Sequence, residues 1–195
     1  MKVVCITGGM GSGKSTVARM IEVLGYPVYY SDERAKCMYF LPEVKAQMLE
    51  LLGTEAYLNE RELNRSYIAR KIFSDDALRN KVNAIIHEAV RRDFYEYQKE
   101  HLKARIIFKE SALIFEAGLQ KDCDEIILVT APKDIRIERI KGRDDMREEE
   151  IISRMSKQWD DEKKIPLADF VMVNDEREAL LPKVLEIVEK IEGRS

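Results

Sequence analysis

The segment Gly8-Gly9-Met10-Gly11-Ser12-Gly13-Lys14-Ser15-Thr16 constrains this chain more than any other. It fits G-x-x-x-x-G-K-[ST] and lies between the apolar run 2–7 and a stretch where Val17, Met20, Ile21 and Leu24 recur at helical spacing. A strand, this loop and a helix in that order make a phosphate cradle. Glycines let the backbone curl so that successive N–H groups meet phosphate oxygens with no Cβ between them. The helix behind them adds the positive end of its dipole. Lys14 can then reach the β- and γ-phosphates, the Ser15 hydroxyl can ligate Mg²⁺, and Thr16 adds an N–H nearer the α-phosphate. Gly8, Gly9, Gly11, Ser12 and Gly13 form the cradle's wall. A nucleoside triphosphate is expected here.

The same alternation organises the rest of the chain. Gly25 stands where the first helix would end, and residues 27–30 read as a second strand, completing a βαβ unit. Apolar runs at 105–109, 125–130 and 169–173 read as further strands, each followed by a helical pattern, the last over about 177–191. Between Ser31 and about Lys103 the signals are helical. Val44, Met48, Leu51 and Leu52 share one face, and Leu78, Val82, Ile86, Ala89, Val90 and Phe94 mark a long helix over about 75–101, with Ser74 as its N-cap. The pattern is a parallel-sheet core carrying a helical insertion.

Composition limits the partners. A length of 195 residues suits one α/β domain with an insertion. Basic residues number 33 against 36 acidic, so no broad basic field is available for nucleic acid. No apolar run approaches the ~20 residues of a membrane-spanning helix, and the opening meets glycines and a lysine too soon for a secretory signal. Cys5, Cys37 and Cys123 are odd in number and far apart, without a CxxC pair. Neither a disulfide frame nor a zinc site is expected, and a reducing cytosol is the expected compartment.

The remaining candidates each carry two readings. The N-K-x-D and D-x-x-G segments of guanine-nucleotide switches do not occur, which weighs against that class. Asp32, just past the second strand, can take the proton of a hydroxyl attacking the γ-phosphorus, or it and Ser31 can cap the next helix. Glu110 ends a strand and can help hold Mg²⁺, or it is an exposed strand-end carboxylate. Arg136, Arg139 and Arg143 share a helical face, with Arg147 beyond. They can neutralise a transferring phosphoryl group, or form a solvated face paired with Glu138, Asp144 and Asp145; the second is favoured for the group, with Arg143 set apart by its position. His87 reads as a structural histidine beside an apolar stripe, and Trp159 as packing.

Taken together, these segments resemble the dephospho-CoA kinase family over nearly the whole chain. ITGGMGSGKST matches its phosphate loop, GYPVYYSDERAK its aspartate after the second strand, LNRSYIARKIFSD and NAIIHEAV its helical substrate region. KESALIFEAG, IRIERIKGRD, RMSKQ and ADFVMVND match later motifs in the family's order. The chain departs from the family at Tyr30-Ser31-Asp32 (often Asp-Ala-Asp), at Glu110 (usually aspartate) and at Glu88 (commonly proline).

The resemblance implies an α/β P-loop NTPase fold: a parallel sheet of about five strands flanked by helices, like nucleoside-monophosphate kinases. The core would cover about 1–35, 104–138 and 165–195, a helical substrate region about 36–103 and a lid about 139–160 of one kinase domain. It implies ATP with Mg²⁺ and phosphorylation of the ribose 3′-hydroxyl of dephospho-CoA, the last step of coenzyme A synthesis. Asp32, Lys14 and Arg143 would be catalytic, Asn174 would lie near adenine, Arg65, His87 and Glu116 near dephospho-CoA, and Ser15 with Glu110 at the metal. A cytoplasmic monomer or weak homo-oligomer, without nucleic-acid or membrane partners, follows. A kinase for another small acceptor, a nucleic-acid kinase or a non-catalytic nucleotide switch are the alternatives.

Overall fold

In the computed structural model, which describes residues 1–73, 75–144 and 146–194, the apolar run that opens the chain becomes β1 (Lys2–Thr7). The phosphate loop leads into α1 (Lys14–Val23), and β2 (Val28–Tyr30) follows. Next come α2 (Ser31–Met38), α3 (Pro42–Leu52), β3 (Tyr57–Asn59), β4 (Glu62–Leu63), α4 (Arg65–Phe73) and α5 (Asp76–Glu100). The chain continues through β5 (Ile106–Glu110), β6 (Glu125–Thr130), α6 (Lys133–Arg143) and α7 (Glu148–Met155). It closes with a single turn, α8 (Asp161–Lys164), then β7 (Phe170–Val173) and α9 (Leu180–Glu192). These elements divide into two units, Met1–Tyr30 with His101–Ser195, and Ser31–Glu100.

The first unit is built on a parallel sheet of order β2-β5-β1-β6-β7. Its central strands are buried along their length, which is why they read as continuous apolar runs rather than alternating ones. Val4, Ile6, Phe108, Ile127 and Val129 pack with Val17, Ala18 and Ile21 of α1 and with Val184, Ile187, Val188 and Ile191 of α9. Each of the valine, isoleucine and phenylalanine side chains contributes about 1.5–3 kcal/mol on burial, so the sheet edge that carries the loop rests on a rigid core.

The cysteines require a correction. Cys5 and Cys123 form a disulfide, with Cα atoms 5.7 Å apart, although the sequence spacing pointed to no disulfide. A separation of 118 residues hides that β1 and β6 are neighbours, with Cys5 in register with Ile126. Cys37 is exposed and free. Because the bond closes so long a loop in the unfolded chain, a thiol reductant or Cys123→Ala is expected to lower stability by roughly 2–4 kcal/mol. Urea unfolding with and without reductant measures this, and an unchanged midpoint would contradict it.

The second unit is mostly helical, but it also holds a small antiparallel hairpin, β3–β4, where the sequence suggested helices alone. The hairpin is too short for a period to register. Its turn is fixed by Asn59, whose Oδ1 accepts the Arg61 N–H and whose amide donates to Glu62. The expected helical stripes do form this unit's core: Val44, Met48 and Leu52 pack with Tyr67, Ile68, Val82, Ile86 and Ala89. Asp75 caps the long helix, its Oδ1 accepting the Leu78 N–H at 2.8 Å. Ser74, expected in that role, and Asp145, expected among the arginine partners, lie outside the described residues. Among the described residues no helix is long and apolar enough to cross a membrane.

Candidate active site

β1 delivers the loop to the carboxyl edge of the sheet between β5 and β6, where ligands collect in open α/β sheets. Gly13 ends the loop at φ 95°, and a Cβ there would lie 2.2 Å from Nδ2 of Asn174. Gly11, at φ 79°, would place a Cβ 2.7 Å from the Arg136 carbonyl. Both positions therefore need glycine twice over, for conformation and for space. Within the loop the Ser12 N–H donates to Gly9 and the Thr16 and Val17 N–H groups to Gly13. The N–H groups of Gly11, Gly13, Lys14 and Ser15 have no protein acceptor among the described residues. They gather at the N-terminus of α1, the arrangement that binds an anion.

Lys14 and Glu110 meet at this mouth, Nζ to Oε1 at 3.5 Å. Glu110 is only 4% exposed, so it is not a solvated strand-end carboxylate. Ser15, at the same helix start, is exposed. No cluster of three or more acidic, histidine or cysteine side chains suited to a metal occurs among the described residues. Mg²⁺ bound to a triphosphate keeps water and phosphate oxygens and needs only one or two protein oxygens. The Ser15 hydroxyl and Glu110 carboxylate have that chemistry, so the donor set fits.

Two of the three arginines of α6, Arg136 and Arg139, are not part of the solvated face their charge suggested. Arg136 is buried, and its Nε donates to the Met10 carbonyl at 2.9 Å. Arg139 Nη1 donates to the carbonyls of Gly11 (3.3 Å) and Ser12 (3.4 Å), and Nη2 donates to Asn174 O and Oδ1. Asn174, just past β7, is buried, and its amide donates to Ser12 O at 2.9 Å. Arg143 lies at the end of the helix, exposed and fully engaged by Asp144 at 3.0 and 2.7 Å. The two arginines that received no individual role are thus the ones that brace the loop.

The other candidates fall into separate places. Glu116, beyond β5, accepts the Trp159 N–H at 2.9 Å and pairs with the wholly buried Lys164 at 2.8 Å. Trp159 itself is 43% exposed rather than packed away. In the second unit Asp32 occupies the first turn of α2, two residues after Tyr30, exposed and with no protein partner for its carboxylate among the described residues. Arg65 opens α4 and, with Lys36, Tyr39, Leu63, Ile68 and Ile72, lines a cavity of about 200 Å³. His87 opens to solvent on α5, while protein packed on its ring lowers its pKa by desolvation.

A model of the dephospho-CoA kinase family matches residues 2–179. The chain belongs to the dephospho-CoA kinase family. It is 37% identical to the dephospho-CoA kinase of Bacteroides fragilis, covering 94% of this chain and 89% of that one. It is 38% identical to the enzyme of that name from Porphyromonas gingivalis, over 95% and 92%. Among solved structures, TT1252 from Thermus thermophilus has a TM-score of 0.85 at 29% identity, over 99% of this chain and 97% of that one.

For a dephospho-CoA kinase family member, a P-loop of this geometry implies ATP as the phosphoryl donor. The residues missed from the sequence of this family member fall into two kinds. Arg136 and Arg139 carried a signal, their shared helical face, but charge alone did not say that the face points at the loop. Lys164 carried none: it sits in the charged run DEKK, yet Glu116, far off in sequence, receives it.

Proposed function

We propose that the chain is a cytoplasmic enzyme that transfers the γ-phosphoryl group of ATP to the ribose 3′-hydroxyl of dephospho-CoA, giving coenzyme A and ADP. The observation that carries this is the loop itself, with N–H groups of Gly11, Gly13, Lys14 and Ser15 turned to no protein acceptor and the Lys14 ammonium beside them. Those amides hold the triphosphate, and Lys14 leaves Glu110 in part to neutralise charge on the β- and γ-phosphates. Magnesium, held by Ser15 with Glu110, would add charge neutralisation across the same phosphates. Asp32, its carboxylate unengaged by protein, orients the acceptor hydroxyl and takes its proton during in-line attack.

Arg143 is the lid arginine of this reading. Its pair with Asp144 is exposed and screened by solvent, so exchanging that carboxylate for a phosphoryl oxygen costs little. Arg65 and Lys36 offer the acceptor's diphosphate two cations beside an apolar cavity, and the family resemblance assigns His87 to the same acceptor. Asn174 lies toward the adenine and braces Ser12 and Arg139 at the same time. Glu116 serves the acceptor side through the segment it holds, since its carboxylate is committed to Lys164 and Trp159.

The test is ADP release from ATP with dephospho-CoA, adenosine, AMP or no acceptor. Release that depends on dephospho-CoA is expected. Equal release with a different acceptor would reassign the substrate, and nucleotide binding with no acceptor-dependent release would mark a switch.

A further inference from the structure

Met10 stands between Gly9 and Gly11, so each peptide plane flanking it has a glycine on one side and little intrinsic resistance to rotation. Both are held from outside. The Met10 N–H donates to Gln158 Oε1 at 2.8 Å, and its carbonyl accepts from Arg136 Nε at 2.9 Å. Its side chain packs on Ile137, Ile140 and Ile151. Arg136 is itself fixed: it pairs with Asp161 at 3.4 Å, and its guanidinium lies so close over Gly9 that a Cβ there would sit 2.1 Å from Nη2. Burial raises the Asp161 pKa while Arg136 opposes that rise, as expected where a carboxylate is kept inside to serve a cation.

Gln158 and Asp161 belong to one stretch of chain between α7 and the end of α8. That stretch is anchored at Glu116, which takes the Trp159 N–H and the Lys164 ammonium on one oxygen. Residues 158–164 are thus tied to Glu116 on one side and to Met10 on the other.

We propose that Gln158, together with Arg136 as held by Asp161, is a positioning residue of the phosphate loop, fixing the planes on either side of Met10 so that the following amides face the triphosphate. The proposal rests on the nucleotide reading of the loop. It assigns the glutamine of RMSKQ a task that resemblance alone does not, and it links the end of α7 to the grip on phosphate. A neutral acceptor suits the place, because it satisfies an N–H without adding negative charge beside phosphates.

The test is titration of ADP onto the full chain and its variants, with thermal melts of the ligand-free proteins. Gln158→Met keeps the length but removes the acceptor. It is expected to weaken ADP binding about tenfold, the effect of one ordinary hydrogen bond, with the melting temperature and the KM for dephospho-CoA unchanged. Gln158→Glu restores an acceptor oxygen and is expected to recover part of the affinity, its added charge beside the phosphates withholding the rest. ADP affinity unchanged in Gln158→Met overturns the proposal. So does a loss that Gln158→Glu does not recover, or one matched by a drop in melting temperature. If the unmodified chain bound no ADP, the nucleotide reading would fall first; if it binds and Gln158→Met binds equally, only the positioning role falls.

Discussion

Replacing Lys14 with alanine is expected to reduce turnover by on the order of 10²–10⁴, the range for removing a charge stabiliser from a transition state. Lys14 opens α1 at the mouth of the loop, and in the proposed reading its ammonium meets the charge that builds on the transferring group. A second effect must be separated from this one. Lys14 also lies 3.5 Å from Glu110, whose side chain is 6% exposed. Removing one partner of a buried pair can destabilise a fold by about 3–5 kcal/mol, so part of any loss in Lys14→Ala could come from folding. The double variant Lys14→Met with Glu110→Gln separates the folding effect, because with both charges removed no buried charge is left unpaired, and any turnover still lost belongs to the site's two charged groups rather than to the fold. Steady-state rates at saturating substrates, read beside thermal melts, are expected to show stability recovered and turnover still low. A Lys14→Ala enzyme within tenfold of normal turnover would contradict the role.

Asp32→Asn is expected to lower kcat by a similar 10²–10⁴, the range for loss of a general base, with ADP affinity and fold preserved. That factor corresponds to about 2.7–5.5 kcal/mol of barrier. Asp32 is exposed, without a protein partner among the described residues, so its structural contribution is limited to the charge it places at the start of α2. Such a charge is worth about 0.3–1 kcal/mol. The two readings of this residue therefore differ in sign of evidence as well as size. A structural role alone leaves full turnover beside that small stability loss; the catalytic role leaves turnover nearly gone with stability lowered by no more than that. Measuring kcat and urea midpoint on one preparation decides between them.

The strands and the long helices were legible because burial writes itself into sequence as unbroken apolar runs or a 3.6-residue stripe. β1 and β6 match their expected ranges, and the long helix differs only at its ends. The hairpin was not legible, since strands of two and three residues carry no period. The disulfide was not legible either, because it depends on which strands become neighbours, and topology is not contained in the spacing of cysteines.

The site divides the same way. The loop could be read residue by residue, as its chemistry is local. Its bracing by Arg136, Arg139, Asn174 and Gln158 comes from three places distant from it in sequence, and a charged or amide side chain looks alike whether it faces water or a loop carbonyl. The family resemblance points to Arg143 and Asn174 by position, whereas the guanidinium of Arg136 over Gly9 is a product of the fold.

The central claim is that this loop carries a phosphoryl group from ATP to one particular hydroxyl. The most direct measurement is to incubate the enzyme with ATP and dephospho-CoA, count ADP, and locate the new phosphate by mass and phosphorus NMR. One ADP per coenzyme A, with the phosphate on the ribose 3′-oxygen, is the expected result. ADP formed with free phosphate and unchanged dephospho-CoA, or a phosphate on any other oxygen, would contradict the account.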